Sequence, residues 1–417
     1  MFSPLRIALE RIVRKGDLRV HDSTGQLHRF GDGTGRRVVV RIADAETERA
    51  VAFDPGLGVG EGYMRGTFRL EEGRIYEFLE LVFANSEATR LPLWMKGLDA
   101  LRYVTRRLQQ FNPTGRSRRN VAHHYDITPA IYDLFLDRDR QYSCAYFEPG
   151  SDDLEAAQLA KKRHLAAKLA LQDGQRVLDI GSGWGGLGLY LAKTANVHVT
   201  GVTLSDEQFA LSRERAQREG LGKVVEFKLQ DYRHVPGPFE RIVSVGMFEH
   251  VGINHYQTYF NRVRDLLTDD GVAVIHSIGR FDGPSTTNPF IAKYIFPGGY
   301  IPALSEVIPV VERSGLYITD VEVLRLHYAE TLRHWRNRFI AGWDKATSTL
   351  GEEFCRMWEF YLAGSESAFR WQNLMIFQIQ VSKRLGTLPL TRNYMVEEER
   401  RLKAREAGSF ETRLAGE

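Results

Sequence analysis

Residues 177–186, VLDIGSGWGG, constrain the fold more than any other stretch of the chain. Val177, Leu178 and Ile180 form a short apolar run between Asp173-Gly174 and the glycines Gly181, Gly183, Gly185 and Gly186. That is the pattern of a central parallel strand with both faces covered. From Gly186 to about Ala195 the chain reads as a helix, with Leu187, Leu189, Tyr190 and Leu191 placed to pack back on a sheet. Glycines in so short a turn permit positive φ and leave no Cβ between main chain and ligand, so backbone amides can approach a bound molecule. A tight turn with no ligand would use the same residues. Gly181, Gly183 and Gly186 satisfy G-x-G-x-x-G literally, while no Lys-Ser or Lys-Thr follows, which argues against a nucleoside triphosphate.

Downstream, strands and helices alternate. HVTGVTLS (198–205) reads as a second buried strand, and Ser205 caps a helix with Asp206 and Glu207 in its first turn. Residues 224–233 and 241–252 read as third and fourth strands, 256–267 as a helix stopped by Asp269-Asp270-Gly271, and 272–279 as a fifth strand. The fold class is therefore α/β, a doubly wound parallel sheet whose ligands sit at the C-terminal strand ends. Asp179, Thr203, Gln208, Asp231, Glu249 and His276 all fall there. Residues 280–303, with four Pro and no regular period, read as an inserted lid or substrate-entry loop. A helix at 306–313, a strand at 317–326, helices at 334–342 and 352–371, and a last strand alternating Phe377, Ile379, Val381 with Gln378, Gln380, Ser382 complete this domain.

At 417 residues two domains are expected. Residues 1–90 read as a smaller α+β unit: a helical stripe at Leu5, Leu9 and Ile12, short strands at 18–20 and 38–42, a glycine-rich stretch over 56–73 that turn chemistry alone could explain, then a helix at 75–83. A linker at 91–122, helical over 93–111, carries Lys96, Arg102, Arg106, Arg107, Arg116, Arg118 and Arg119 against the single acid Asp99. Such a patch would attract an anionic membrane surface or nucleic acid, or form a plain solvated helix face. The absence of zinc-finger or RNA-stacking motifs favours the membrane. The catalytic domain spans 123–396, and 397–417 is a charged tail expected to fray. No run of about 18 apolar residues occurs, and the N-terminus mixes charges into its apolar residues, so the product is expected in the cytoplasm. Two cysteines, Cys144 and Cys355, make neither a disulfide framework nor a metal cluster, and no metal is expected.

Together, YSCAYF, VLDIGSGWGG with its Asp179 as nucleoside-binding methyltransferases place it, GVTLSDEQ, FEHVG, HYAETLRHW and PLTRNY, with GEGYMRG near Gly60, resemble the cyclopropane-fatty-acyl-phospholipid synthases over nearly the whole chain. The resemblance implies a class I methyltransferase domain with a lipid-associated N-terminal domain. It also implies transfer of a methylene group from S-adenosylmethionine to the cis double bond of an unsaturated phospholipid. Gly181, Gly183 and Trp184 would line the methionine end of the cofactor, with Tyr142 and Ser143 closing over it; Thr203, Leu204 and Gln208 would meet the ribose, and Asp231 and Tyr232 the adenine. The superfamily's usual acidic residue at the second strand end is replaced here by Thr203-Leu204, in line with the lipid-modifying branch.

An isolated alkene is a poor nucleophile, so alignment is the main lever, and transfer leaves a carbocation that must be shielded from water and then lose a proton. Tyr294, Phe296 and Tyr300 are aromatic candidates for stabilising it. The resemblance implies a bicarbonate ion as base, held by Cys144, Glu249, His276, Ile278 and Tyr328. Each also has an ordinary structural reading as core or hydrogen-bonded strand end. A methylene- or methyl-branched product, methylation of a small amine, and a catalytically idle lipid-binding protein are the alternatives. The expected partner is an unsaturated phospholipid in an anionic membrane, met peripherally at the inner face of the cell membrane, and not nucleic acid. Oligomeric state is left open, a homodimer included.

Overall fold

The computed structural model describes residues 1–85, 94, 97, 100, 102–104 and 129–414. The chain divides into two compact units: Met1–Gln109 with Ser285–Gly299 and Tyr328–Leu374, and Gln110–Pro284 with Tyr300–His327 and Met375–Glu417. Compact packing thus does not follow single cuts in sequence. The middle of the 280–303 insertion and the helices after residue 328 belong with the N-terminal residues.

In the first unit, the helix Ser3–Ile12 precedes β1 (Asp17–His21), β2 (Leu27–Phe30) and β3 (Arg37–Ile42). β4 (Phe68–Glu72) completes a sheet of order β2-β1-β3-β4 in which β1 and β3 run parallel and the other pairs antiparallel. Residues 56–62 do not form the turn that their glycines could explain: Pro55–Arg65 is a helix, begun by Pro55 and ended by Gly66 at φ 74°. A Cβ on Gly60 would lie 2.4 Å from Phe290 and 2.9 Å from Phe360, so the glycine serves close packing. The insertion, read as irregular, contains a helical turn at Ile291–Ile295, and HYAETLRHW opens the helix His327–Ala341.

The second unit carries a seven-stranded sheet of order β10-β11-β9-β8-β5-β6-β7. Its strands are β5 (Arg176–Ile180), β6 (His198–Thr203), β7 (Val225–Leu229), β8 (Phe239–Val245), β9 (Leu267–Arg280), β10 (Tyr317–Val323) and β11 (Leu374–Ser382). β5 pairs parallel with β6 and β8, β6 with β7, and β8 with β9, while β10 and β11 are antiparallel. Leu178 and Ile180 pack on one face with Tyr259, Phe260 and Val263 of the helix Tyr256–Leu266. Val177 packs on the other with Leu187 and Leu191 of the helix Gly186–Ala195, as a doubly wound sheet requires.

Five local readings change. β7 stops at Leu229, and β8 stops at Val245 because Gly246 turns at φ 65°, so Glu249 lies on a 3-10 turn, Phe248–His250. β9 begins at Leu267, where it pairs with Phe239, rather than after Gly271. β11 is buried on both faces: Gln378 donates to His276 Nδ1 at 3.1 Å and Gln380 to Tyr394 at 2.7 Å, which is how its polar residues tolerate the interior. The expected tail is instead part of the helix Asn393–Leu414. Leu402 and Glu406 are buried, and Glu406 accepts from Arg163 (2.9 Å) and Tyr190 (2.7 Å). Among the described residues no helix is long and apolar enough to cross a membrane.

Candidate active site

At the end of β5 the chain enters the glycine turn with Gly181, Gly183 and Gly185 all at positive φ. The Gly181 and Ser182 amides donate to Val202 O, each at 3.0 Å, which ties the turn to β6. A Cβ on Gly183 would meet nothing within 4 Å, so its main chain faces open space; one on Gly185 would strike Phe227 at 2.7 Å and Ser212 at 2.9 Å. The first glycine opens the turn to a ligand and the second lets it pack.

All eleven residues expected at the cofactor line one cavity. Asp179, Gly181, Gly183 and Trp184 come from β5 and its turn, Thr203, Leu204 and Gln208 from the end of β6 and the helix Asp206–Arg218. Asp231 and Tyr232 follow β7, and Tyr142 and Ser143 come from the extended segment before the helix Leu154–Leu169. Thr203 Oγ1 donates to Gln208 Oε1 at 2.8 Å, and Ser205 Oγ accepts from the Gln208 amide at 3.3 Å. Trp184 Nε1 donates to Glu207 at 3.1 Å, and the Arg233 guanidinium clasps Asp231, holding its carboxyl below the usual range against the cost of burial. Asp179 is different. It is buried, its Oδ2 has no hydrogen-bond partner, and burial pushes its pKa up to about 7 against the pull of the Lys161 charge.

Several residues of the site carried no motif. Lys161, wholly buried, donates to Gln141 Oε1 at 2.6 Å and Ser143 Oγ at 2.8 Å; Gln158 donates to the Gln141 and Ser143 carbonyls at 3.1 and 3.0 Å. Asp139 accepts from Lys162 at 2.5 Å and from Arg215, whose Nη1 donates to Trp184 O at 2.9 Å. Together these bonds lock residues 139–143 onto the glycine turn. His250 also lines the cavity, and burial holds its imidazole down to about 4 and hence neutral. Nothing in the sequence marks them, because polar residues on a helix read as a solvated face; the structure instead buries Gln158, Lys161, Lys162, Arg163, His164 and Lys168.

Glu249 follows Met247 and precedes His250, both of which line the cavity. Its Oε1 accepts from the Ile278 amide at 2.7 Å, its Oε2 is buried without a partner, and burial pushes the carboxyl up to about 7. His276 and Ile278 stand two apart on β9 and so share a face. His276 is buried, its Nε2 lacks a partner, and burial with the charges of Lys161, Lys168 and His164 holds it neutral. Cys144 is buried next to Ser143, its thiol donating to Ala145 O at 3.2 Å. Tyr328 belongs to the other unit, where it packs on Trp335 and Phe369; Tyr294 and Phe296 also lie there. Tyr300 is in the sheet unit, its amide donating to Glu249 O at 3.0 Å. Of the basic stretch, Arg102 is held by Asp54 at 2.5 Å, while Lys96, Arg106, Arg107, Arg116, Arg118 and Arg119 lie outside the described residues.

The family model described as mycolic acid cyclopropane synthetase matches residues 113–379. The cyclopropane-fatty-acyl-phospholipid synthase of Escherichia coli K12 is 38% identical over 346 residues, 82% of this chain and 87% of that protein. The tuberculostearic acid methyltransferase UfaA1 of Mycobacterium tuberculosis is 38% identical over 387 residues, 89% of this chain and 88% of its own. Among solved structures, the mycolic acid cyclopropane synthase CmaA1 complexed with SAH and CTAB superposes with a TM-score of 0.61 at 31% identity, covering 65% of this chain and 99% of that one.

Proposed function

The chain belongs to the mycolic acid cyclopropane synthetase family, and we propose that it adds a one-carbon unit from S-adenosylmethionine to the cis double bond of an unsaturated phospholipid acyl chain, closing a cyclopropane ring. It is an S-adenosylmethionine-dependent methyltransferase of the cyclopropane-synthase type. The finer reading rests on Glu249: a buried carboxyl pushed up to about 7, with a free Oε2, set between residues that line the cavity. An amine acceptor brings its own lone pair and sheds its proton readily. A carbon acceptor leaves a cation with no lone pair, and its proton must be taken up within a dry site.

S-adenosylmethionine, when bound, supplies the electrophilic methyl group. Asp179 would face its cationic amino group, with Gly181, Gly183 and Trp184 at the methionine end and Tyr142 and Ser143 closing over it. Thr203, Leu204 and Gln208 would meet the ribose, and Asp231 and Tyr232 the adenine. Bicarbonate, when bound, supplies the base. His276 and Glu249 fit such an ion by their chemistry: a neutral imidazole whose unpartnered Nε2 can donate to it, and a carboxyl whose unpartnered Oε2, once ionised, can accept the ion's hydroxyl and take the proton onward. The Ile278 amide, now donating to Glu249, the Cys144 main chain and Tyr328 complete the proposed set. Since the acyl chain resides in a bilayer, the protein would work peripherally on an anionic membrane.

A second reading keeps the same cation but ends it by a hydride shift and loss of a proton elsewhere, giving a methylene-branched or methyl-branched chain that is still unsaturated; it is favoured by the similarity to the tuberculostearic acid methyltransferase over 89% of this chain. Mass spectrometry decides between them after incubation with S-adenosylmethionine, bicarbonate and unsaturated phospholipid vesicles. A gain of CH₂ with a ring at the old alkene position is expected. An exocyclic double bond or a methyl branch moves the chain to the second reading, and no lipid product overturns both.

A further inference from the structure

A lysine wholly inside a protein is costly unless its charge is used, because an ammonium group taken out of water loses several kcal/mol of hydration on the order of what pairing must return. Lys161 is 0% exposed, yet both groups it hydrogen-bonds are neutral: Gln141 Oε1 at 2.6 Å and Ser143 Oγ at 2.8 Å. These two residues flank Tyr142, and all three line the cofactor cavity. Three positions earlier on the same helix, Gln158 holds the Gln141 and Ser143 carbonyls, so one helix face grips both side chains and main chain of the segment. Tyr142 is thereby set edge-on against Tyr132, which in turn meets Trp184 of the glycine turn at 5.0 Å.

We propose that Lys161 is a positioning residue for cofactor binding, its ammonium group fixing residues 141–143 against the cavity while acting as the electrostatic partner of the Asp179 carboxyl, whose Oδ2 has no hydrogen-bond partner. This rests on the reading that the cavity takes S-adenosylmethionine. The groups facing Lys161 come from every element around it. Asp137 and Asp139 before the segment, and Cys144 just after it, favour its charge, and Lys162 on its own helix opposes it. Asp179 on β5 and His276 on β9 both feel it. An apolar side chain of the same length would fill the space and pack the helix equally well. What it would lose is the grip on Ser143 and Gln141 and a cation that favours ionised Asp179.

Calorimetric titration with S-adenosylhomocysteine between pH 6 and 9 tests this on the wild type, Lys161→Met and Ser143→Ala, with circular dichroism to report folding. Lys161→Met is expected to weaken binding about 10- to 100-fold, with the pH midpoint of binding moved above that of the wild type because Asp179 ionises later. Ser143→Ala, which keeps the charge, is expected to weaken it about 3- to 10-fold without moving the midpoint. Wild-type affinity and an unmoved midpoint in folded Lys161→Met would overturn the proposal. Should that variant fail to fold, unchanged affinity in Ser143→Ala does so. A wild-type protein that binds no S-adenosylhomocysteine refutes the cofactor reading itself, and with it this role for Lys161.

Discussion

Asp179→Asn should make the empty protein more stable and the cofactor-binding protein worse. The Asp179 carboxyl is buried at the end of β5 with Oδ2 unpartnered, and its pKa stands at about 7 instead of 3.8. In the unfolded chain the group ionises near pH 4; in the folded chain it holds its proton until about pH 7. Between these values the folded state binds more protons, so stability falls with rising pH by about 1.4 kcal/mol per pH unit, about 4 kcal/mol in all above pH 7. Asparagine carries no such penalty. The melting temperature of Asp179→Asn should therefore exceed that of the wild type at pH 8, with the difference shrinking to nothing near pH 4. A charged hydrogen bond to the ligand's amino group is worth about 1.5–3 kcal/mol, so S-adenosylhomocysteine affinity should fall roughly 10- to 100-fold. The wild type should also release protons on binding at pH 6, seen as a heat that depends on the buffer, and the variant should not. A stability difference that is the same at pH 5 and pH 8, or an Asn variant less stable at pH 8, would refute the reasoning.

Glu249→Gln keeps an acceptor for the Ile278 amide but cannot take a proton, so turnover should drop by about 10²–10⁴-fold with S-adenosylhomocysteine affinity unchanged; single-turnover kinetics separates the two. In the wild type the rate should rise as pH passes about 7, where Glu249 loses its proton, and a flat profile would count against its role. Gly60→Ala drives a Cβ to 2.4 Å from Phe290, an overpacking that should cost about 1–3 kcal/mol, more than the gain in helix propensity of about 1 kcal/mol; a raised melting temperature would contradict the packing described. Glu406→Gln leaves the buried Arg163 with only Glu148 at 3.0 Å, and should destabilise by about 3 kcal/mol as read from chemical denaturation.

The parts of this protein that could be read from its residues are those decided by local backbone chemistry. Asp179, Thr203 and Asp231 stand at the ends of β5, β6 and the segment after β7, and those strands are neighbours in one parallel sheet. Motifs far apart in sequence therefore converge once the alternation of strands and helices is recognised. Gly60 was illegible for the opposite reason. Its helix carries a glycine there because Phe290 and Phe360 pack too close for a Cβ, and nothing within the segment names those partners. Buried charge is the harder case. Glu406 falls in the stretch expected to be a charged tail, and no motif marks Lys161, because a charged residue reads as exposed until its partner is known. The partners are Arg163 and, for Lys161, two neutral side chains of the cavity lining. In both places the fold sets the cost of burying an ion against a specific bond, once to dock the last helix and once to hold the segment that meets the cofactor. Periodicity averages over such residues and so passes over them, although they are where the sequence departs from what packing alone would choose.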